Sequence, residues 1–108
     1  MTVNLDATLS ALADPTRRMV VDQLRGGPRR AGELAVVAGT SGPAMSRHLR
    51  VLRATGLVEV ELLDDDGRGR VYRLRPEPFA DLQSWLEQVQ AFWDEQLGSF
   101  KAHARKRT

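Results

Sequence analysis

The chain has 108 residues, 42% of them hydrophobic, with sixteen Lys and Arg against fourteen Asp and Glu and a formal net charge of +2. That length suits one domain with a modest core, a size at which dimerisation commonly makes up for limited burial. The lack of cysteine excludes disulfides, thiolate metal sites and cysteine nucleophiles. With no apolar run near the ~20 residues of a membrane span and no signal-peptide pattern, the expectation is a soluble, cytoplasmic protein.

Fourteen of the sixteen basic residues are Arg, clustered at 17–18, 25–30, 47–53, 68–75 and 105–107. Such clusters beside acidic stretches suit a local polyanion-binding face. They suit a solvated arginine surface equally well, so position has to decide.

In chain order, Leu5, Leu9 and Leu12 recur at helical spacing behind Asn4, predicting a short first helix over 5–13. Asp14-Pro15 reads as a cap and a first-turn proline for a second helix carrying Met19, Val20, Val21 and Leu24, which Gly26-Gly27-Pro28 stops. A third helix spans Ala31 to Ala38 with Leu34, Val37 and Ala38 inward, although Arg30 stands where a capping residue is expected. Ser41 caps a fourth helix running to about Ala54, with Pro43 tolerated in its first turn. Val58, Val60 and Leu62 then alternate with Glu59 and Glu61, as in a strand with one buried face. Asp66-Gly67 marks a hairpin tip, and Val71, Tyr72 and Leu74 form the returning strand. Pro76 and Pro78 end that strand, and a long helix runs over 79–103 before a basic tail at 104–108.

The predicted fold is therefore mostly α with a two-stranded β wing. Its order is helix-helix-helix-helix-strand-strand-helix, one winged helix-turn-helix domain over 1–108. The helix-turn-helix occupies 31–54 and the wing 57–75.

On the fourth helix, at ~100° per residue, Met45, Leu49, Leu52 and His48 form an inward stripe. Ser46, Arg50, Pro43 and Arg47 lie on the far side. Arg donates two hydrogen bonds to guanine in the major groove, and Ser donates to or accepts from several bases. A polar face is also what any surface helix shows, and the hairpin that follows tips the balance. Arg68 and Arg70 flank its tip, within reach of phosphates or a minor groove. Asp64, Asp65 and Asp66 in the same loop oppose that role or pair with the arginines when DNA is absent. His48, on the inward edge, reads as a core or second-turn histidine.

With these elements placed, the sequence resembles the ArsR/SmtB family of bacterial regulators. The resemblance rests on Ala11-Leu12-Ala13-Asp14-Pro15-Thr16-Arg17-Arg18 and Gly32-Glu33-Leu34-Ala35. It continues through Ser41-Gly42-Pro43-Ala44-Met45-Ser46-Arg47-His48-Leu49-Arg50-Val51-Leu52, Gly56-Leu57-Val58 and Gly67-Arg68-Gly69-Arg70-Val71-Tyr72-Arg73-Leu74. It implies a dimeric operator-binding repressor whose first and last helices pair the subunits. Carried over by position, the base-reading set is Gly42, Pro43, Ser46, Arg47 and Arg50, behind the Ser41 cap. Metal-sensing members of that family place cysteines on the third helix, or acids and histidines at both ends of the last one. Here Leu34-Ala35-Val36-Val37 has no thiol, and the last helix offers only Asp94, Glu95 and His103. No metal site is expected, since zinc or nickel needs three or four converging ligands.

On the last helix, Phe79, Leu82, Trp85, Leu86, Val89, Phe92, Trp93, Leu97 and Phe100 form a stripe about 140° wide. Packing it on its own domain leaves too little surface to cover it. Pairing Leu82, Trp85, Leu86, Val89, Phe92, Trp93 and Phe100 with a symmetry mate, together with Leu5, Leu9 and Leu12, solves the burial problem. Gln96 falls within the stripe, where a polar contact can fix register. The stripe also leaves open a cavity for an apolar small-molecule effector.

No catalytic role is expected. The only histidines are His48 and His103, and no nucleophile–base constellation or glycine-rich phosphate loop is visible. The expected partners are double-stranded DNA and a second copy of the chain. The competing reading is a winged-helix module that binds another protein through the aromatic helix.

Overall fold

Asn4 Oδ1 accepts from the Ala7 amide at 3.1 Å, Asp14 Oδ1 from Arg17 at 3.0 Å and Ser41 Oγ from Ala44 at 3.2 Å. These three bonds open α1 (Leu5–Leu12), α2 (Pro15–Leu24) and α4 (Gly42–Ala54), each satisfying an amide that has no partner within its helix. The computed structural model describes residues 4–63 and 69–106, with side chains described through residue 98. Between α2 and α4 lies α3 (Ala31–Ala38). After α4 come β1 (Val58–Leu62), β2 (Arg70–Leu74) and α5 (Pro76–Lys106), the predicted order.

The start of α3 resolves the oddity at Arg30. Glu33 reaches back, and its carboxylate accepts from the Arg30 amide at 3.2 Å. The cap is thus supplied by the third residue of the helix and not by the residue before it. The helix ends at Gly39, whose φ of 65° is left-handed. That conformation, cheap only for glycine, lets Thr40 donate back to the Ala35 carbonyl at 3.1 Å and turns the chain into α4.

The core sits where α2, α3, α4 and the start of β1 meet. Val20, Leu24, Leu34, Met45, Leu49, Leu52, Leu57 and Val58 are all buried there, with Tyr72, Leu74 and Phe79 packed against its edge. Two expectations about inward faces need correction. On α3 the buried pair is Leu34 and Ala35, while Val37 is 51% exposed. Position 37 lies about 100° or more around the helix from the centre of the 34–35–38 face. On β1 burial fades along the strand, from Val58 at 2% to Leu62 at 61%, because the strand runs outward past the last core side chain.

The two strands pair antiparallel with Val58 opposite Leu74, Glu59 opposite Arg73, Val60 opposite Tyr72, Glu61 opposite Val71 and Leu62 opposite Arg70. A third segment joins them. Arg29 donates to the Tyr72 carbonyl at 3.1 Å and accepts from its amide at 2.8 Å. The predicted tip at Asp66-Gly67 lies outside the described residues.

The last helix begins at Pro76, three residues before the expected start. Pro76 and Pro78 both fall in its first turn, where amides have no intrahelical acceptor, so the two prolines start the helix and do not merely end the strand. At 1.5 Å per residue its 31 residues span about 46 Å, the longest element of the fold. No helix among the described residues is long and apolar enough to cross a membrane.

Candidate nucleic-acid interface

Met45, Leu49 and Leu52 hold α4 by one side, each at most 1% exposed. Anchoring at three positions spaced over two turns fixes the rotation of the helix about its axis. The far side is therefore set as well: Pro43, Ser46, Arg47 and Arg50 lie there, Gly42 and Arg53 flank it and Ser41 caps the helix, all of them exposed. Every residue of the predicted reading set is thus exposed, and Pro43, Ser46, Arg47 and Arg50 share one side of the helix. A side chain at Gly42 would meet nothing within 4 Å, so the fold itself does not require glycine there.

His48 lies at the flank of α4 facing α2. Its Nδ1 is 3.4 Å from Arg17 Nη1 and 4.0 Å from Asp14 Oδ1. Arg17 Nε donates to the Ala11 carbonyl at 2.7 Å, and Arg18 Nη1 donates to the Leu12 and Ala13 carbonyls at 2.8 and 3.0 Å. The Asp14 carboxyl is held below the usual aspartate range, chiefly by the amide it accepts from Arg17, against partial desolvation and with help from the charges of Arg17 and His48. This cluster ties the end of α1, the start of α2 and the flank of α4 together. Of the two places the sequence left open for His48, the core is not the one it takes: it sits in the second turn of α4, at a half-buried polar junction beside the core.

The wing sorts its charges by face. Alternation along paired strands puts Glu59, Glu61 and Arg73 on one side of the ribbon and Val58, Val60, Arg70, Tyr72 and Leu74 on the other. On the first side Arg73 Nε donates to Glu59 at 2.7 Å and its Nη1 lies 3.1 Å from Glu61. Arg75 adds contacts at 3.8 Å to Glu59 and 3.6 Å to Glu77. The hydrogen bond to Glu59, and after it the charge of Glu61, raises the Arg73 pKa above its ordinary value. On the second side Arg70 and Tyr72 face α4 across an open cleft of about 490 Å³, whose other lining residues are Ser46, Arg50, Arg53 and Ala54. Arg68 lies outside the described residues.

Arg53 and Tyr72 belong to this surface and were missed by the sequence reading. Arg53 was legible on the helical wheel, since it follows Ser46 and Arg50 at i+7 and i+3. Tyr72 was not, because its side depends on the strand register.

The α5 stripe is bare. Trp85, Leu86, Phe92, Trp93 and Leu97 are exposed, with Trp93 at 56%, while Leu82 and Val89 are half-buried. Phe92 and Trp93 meet edge to face at 5.6 Å. On α1, Thr8 and Ala11 face the core, leaving Leu9 exposed and Leu5 and Leu12 half-buried. The Phe100 side chain lies outside those described. A mainly apolar recess of about 530 Å³ adjoins the α5 root, lined by Val21, Leu74, Pro76 and Phe79 among others. Among the described residues no three acids or histidines converge as a metal site would need.

A helix-turn-helix domain family matches residues 12–61. The HTH-type transcriptional regulator Rv2034 of Mycobacterium tuberculosis is 40% identical over 95 residues, covering 88% of this chain and 83% of that protein. A crystal structure of an ArsR family transcriptional regulator, RHA00566, superposes with a TM-score of 0.73 at 33% identity, covering 83% of this chain and 90% of the other. The chain belongs to the ArsR family of transcriptional regulators. Another neighbour is the homodimeric winged helix-turn-helix DNA-binding domain Mb0332 of Mycobacterium bovis. It aligns at 29% identity and a TM-score of 0.61, over 86% of this chain and 81% of its own. As an ArsR-family chain, this one has its family's winged helix-turn-helix architecture, with five helices and a two-stranded antiparallel sheet.

Proposed function

We propose that this chain is a homodimeric repressor that binds a near-palindromic operator in the bacterial cytoplasm by inserting α4 into the major groove. The observation that carries the reading is the exposed face of α4, where Ser46, Arg47 and Arg50 stand on a helix whose rotation three buried side chains fix. A helix so anchored presents its donors without having to order them on binding, which lowers the entropic cost of recognition. Arg47 and Arg50 have the geometry to bridge guanine O6 and N7, and Ser46 serves an adjacent base. Gly42 and Pro43 open the helix with the least bulk against the duplex, behind the Ser41 cap. Arg70 and Arg68 serve the wing.

The α5 stripe, with Leu5, Leu9 and Leu12, supplies the dimer contact through Leu82, Trp85, Leu86, Val89, Phe92, Trp93 and Phe100. A two-fold pair then sets two α4 helices about 34 Å apart, to enter successive major grooves on one side of the duplex. Repression follows from occupancy of the promoter. The reading assigns the chain no catalytic step.

Arg47→Ala is the test. Base reading predicts a loss of about 1–3 kcal/mol for a duplex selected by the wild-type protein, with affinity for a scrambled duplex reduced much less. An Arg47→Ala variant that kept the wild-type preference for the selected duplex over the scrambled one would remove the mechanism.

A further inference from the structure

A helix in a major groove and a hairpin over the neighbouring minor groove are separated by one sugar–phosphate strand. In this chain the space left for that strand is the cleft between α4 and β2, lined by Ser46, Arg50, Arg53, Ala54, Arg70 and Tyr72. We propose that the cleft clamps the strand, and that Arg53 and Tyr72 are positioning residues that hold phosphate and read no base. The inference rests on the operator-binding reading and adds to it a second, sequence-independent contact.

Three features make the cleft an anion site. Among the described residues its lining has three guanidinium groups and no carboxylate. The acids of β1, Glu59 and Glu61, lie on the far side of the ribbon, engaged by Arg73 and Arg75. A phosphate entering the cleft thus approaches arginines on the face that strand alternation keeps clear of those two acids. Planar guanidinium forks match phosphate oxygens two at a time.

Both walls are fixed before DNA arrives. On one, Ser46, Arg50 and Arg53 stand at i, i+4 and i+7 on the anchored α4. On the other, Tyr72 is paired to β1 and, through two backbone bonds, to Arg29, while its ring packs on the core. Arg53 lies six residues beyond Arg47, about 9 Å further along the helix axis, which suits the backbone at the groove edge more than the base edges within it. Arg50, midway, borders both regions.

The test compares Arg53→Ala, Tyr72→Phe and Arg73→Ala, each checked for folding by its melting curve. Each is titrated across a salt series against a duplex selected by the wild-type protein from a random pool and against a scrambled duplex of equal length. Arg53→Ala is expected to weaken both duplexes alike, roughly tenfold, and to lower the salt slope by about one. Tyr72→Phe weakens both by a smaller common factor and leaves the slope unchanged, because no charge is lost. Arg73→Ala removes the same charge from the opposite face and changes either affinity less than about twofold. The clamp is overturned if Arg53→Ala changes neither affinity, if it weakens the selected duplex alone, or if Arg73→Ala costs as much. The operator reading fails separately, through Arg47→Ala leaving sequence preference intact.

Discussion

Arg29 and Tyr72 exchange both of their backbone hydrogen bonds, at 3.1 and 2.8 Å, so the segment entering α3 is stitched to the returning strand of the wing. The link makes the hairpin part of the helix-turn-helix body. Arg29→Pro removes the amide that donates to the Tyr72 carbonyl. It should cost about 1–3 kcal/mol of stability in chemical denaturation, and the Tyr72 amide should exchange faster with solvent. A wing that moved independently would show neither effect.

Thr8 is fully buried, and its hydroxyl has no partner among the described residues. Thr8→Val keeps the shape and removes the unsatisfied group. Stability should rise by about 1 kcal/mol, read as a higher denaturation midpoint with an unchanged slope.

Trp93 lies on the bare face of α5, stacked edge to face on Phe92. If this face joins two copies, two-fold symmetry means one substitution removes two anchors. Trp93→Ala should then weaken self-association by about 2 kcal/mol or more, some thirtyfold in the dimer dissociation constant, measured by sedimentation equilibrium. The melting curve of the monomer should hardly move, since an exposed ring contributes little to its own domain.

The Asp14 carboxyl accepts the Arg17 amide, and its pKa is lowered in the folded chain. A lowered folded pKa contributes stability above the unfolded value, near 3.8, that is lost as pH falls through the folded one. Asp14→Ala should lower the melting temperature by a few degrees at neutral pH, and the gap to wild type should narrow on acidification below that range. A gap independent of pH would mean that the charge contributes nothing.

Much of this architecture was legible because its signals are local. Asn4, Asp14 and Ser41 announce their helices by type and position, and Met45, Leu49 and Leu52 announce the buried side of α4 by spacing. What the sequence hid depends on distant partners. Val37 was expected inward by its apolarity alone, yet the core sits beside Leu34 and Ala35. Glu59 and Glu61 read as solvent-facing alternates, and only the register with Arg73 shows that they are paired. The same register turns Tyr72 toward α4 and Arg53, and no run of adjacent residues encodes it. Pro76 was ambiguous because one residue type both ends strands and begins helices.

The most direct test of two copies reading one side of the duplex is an operator whose half-sites are moved apart by half a helical turn, about 5 base pairs. Titration of the wild-type protein should show affinity falling to that of a scrambled duplex, because the second α4 now faces the wrong side. Undiminished binding to the altered operator would contradict the account.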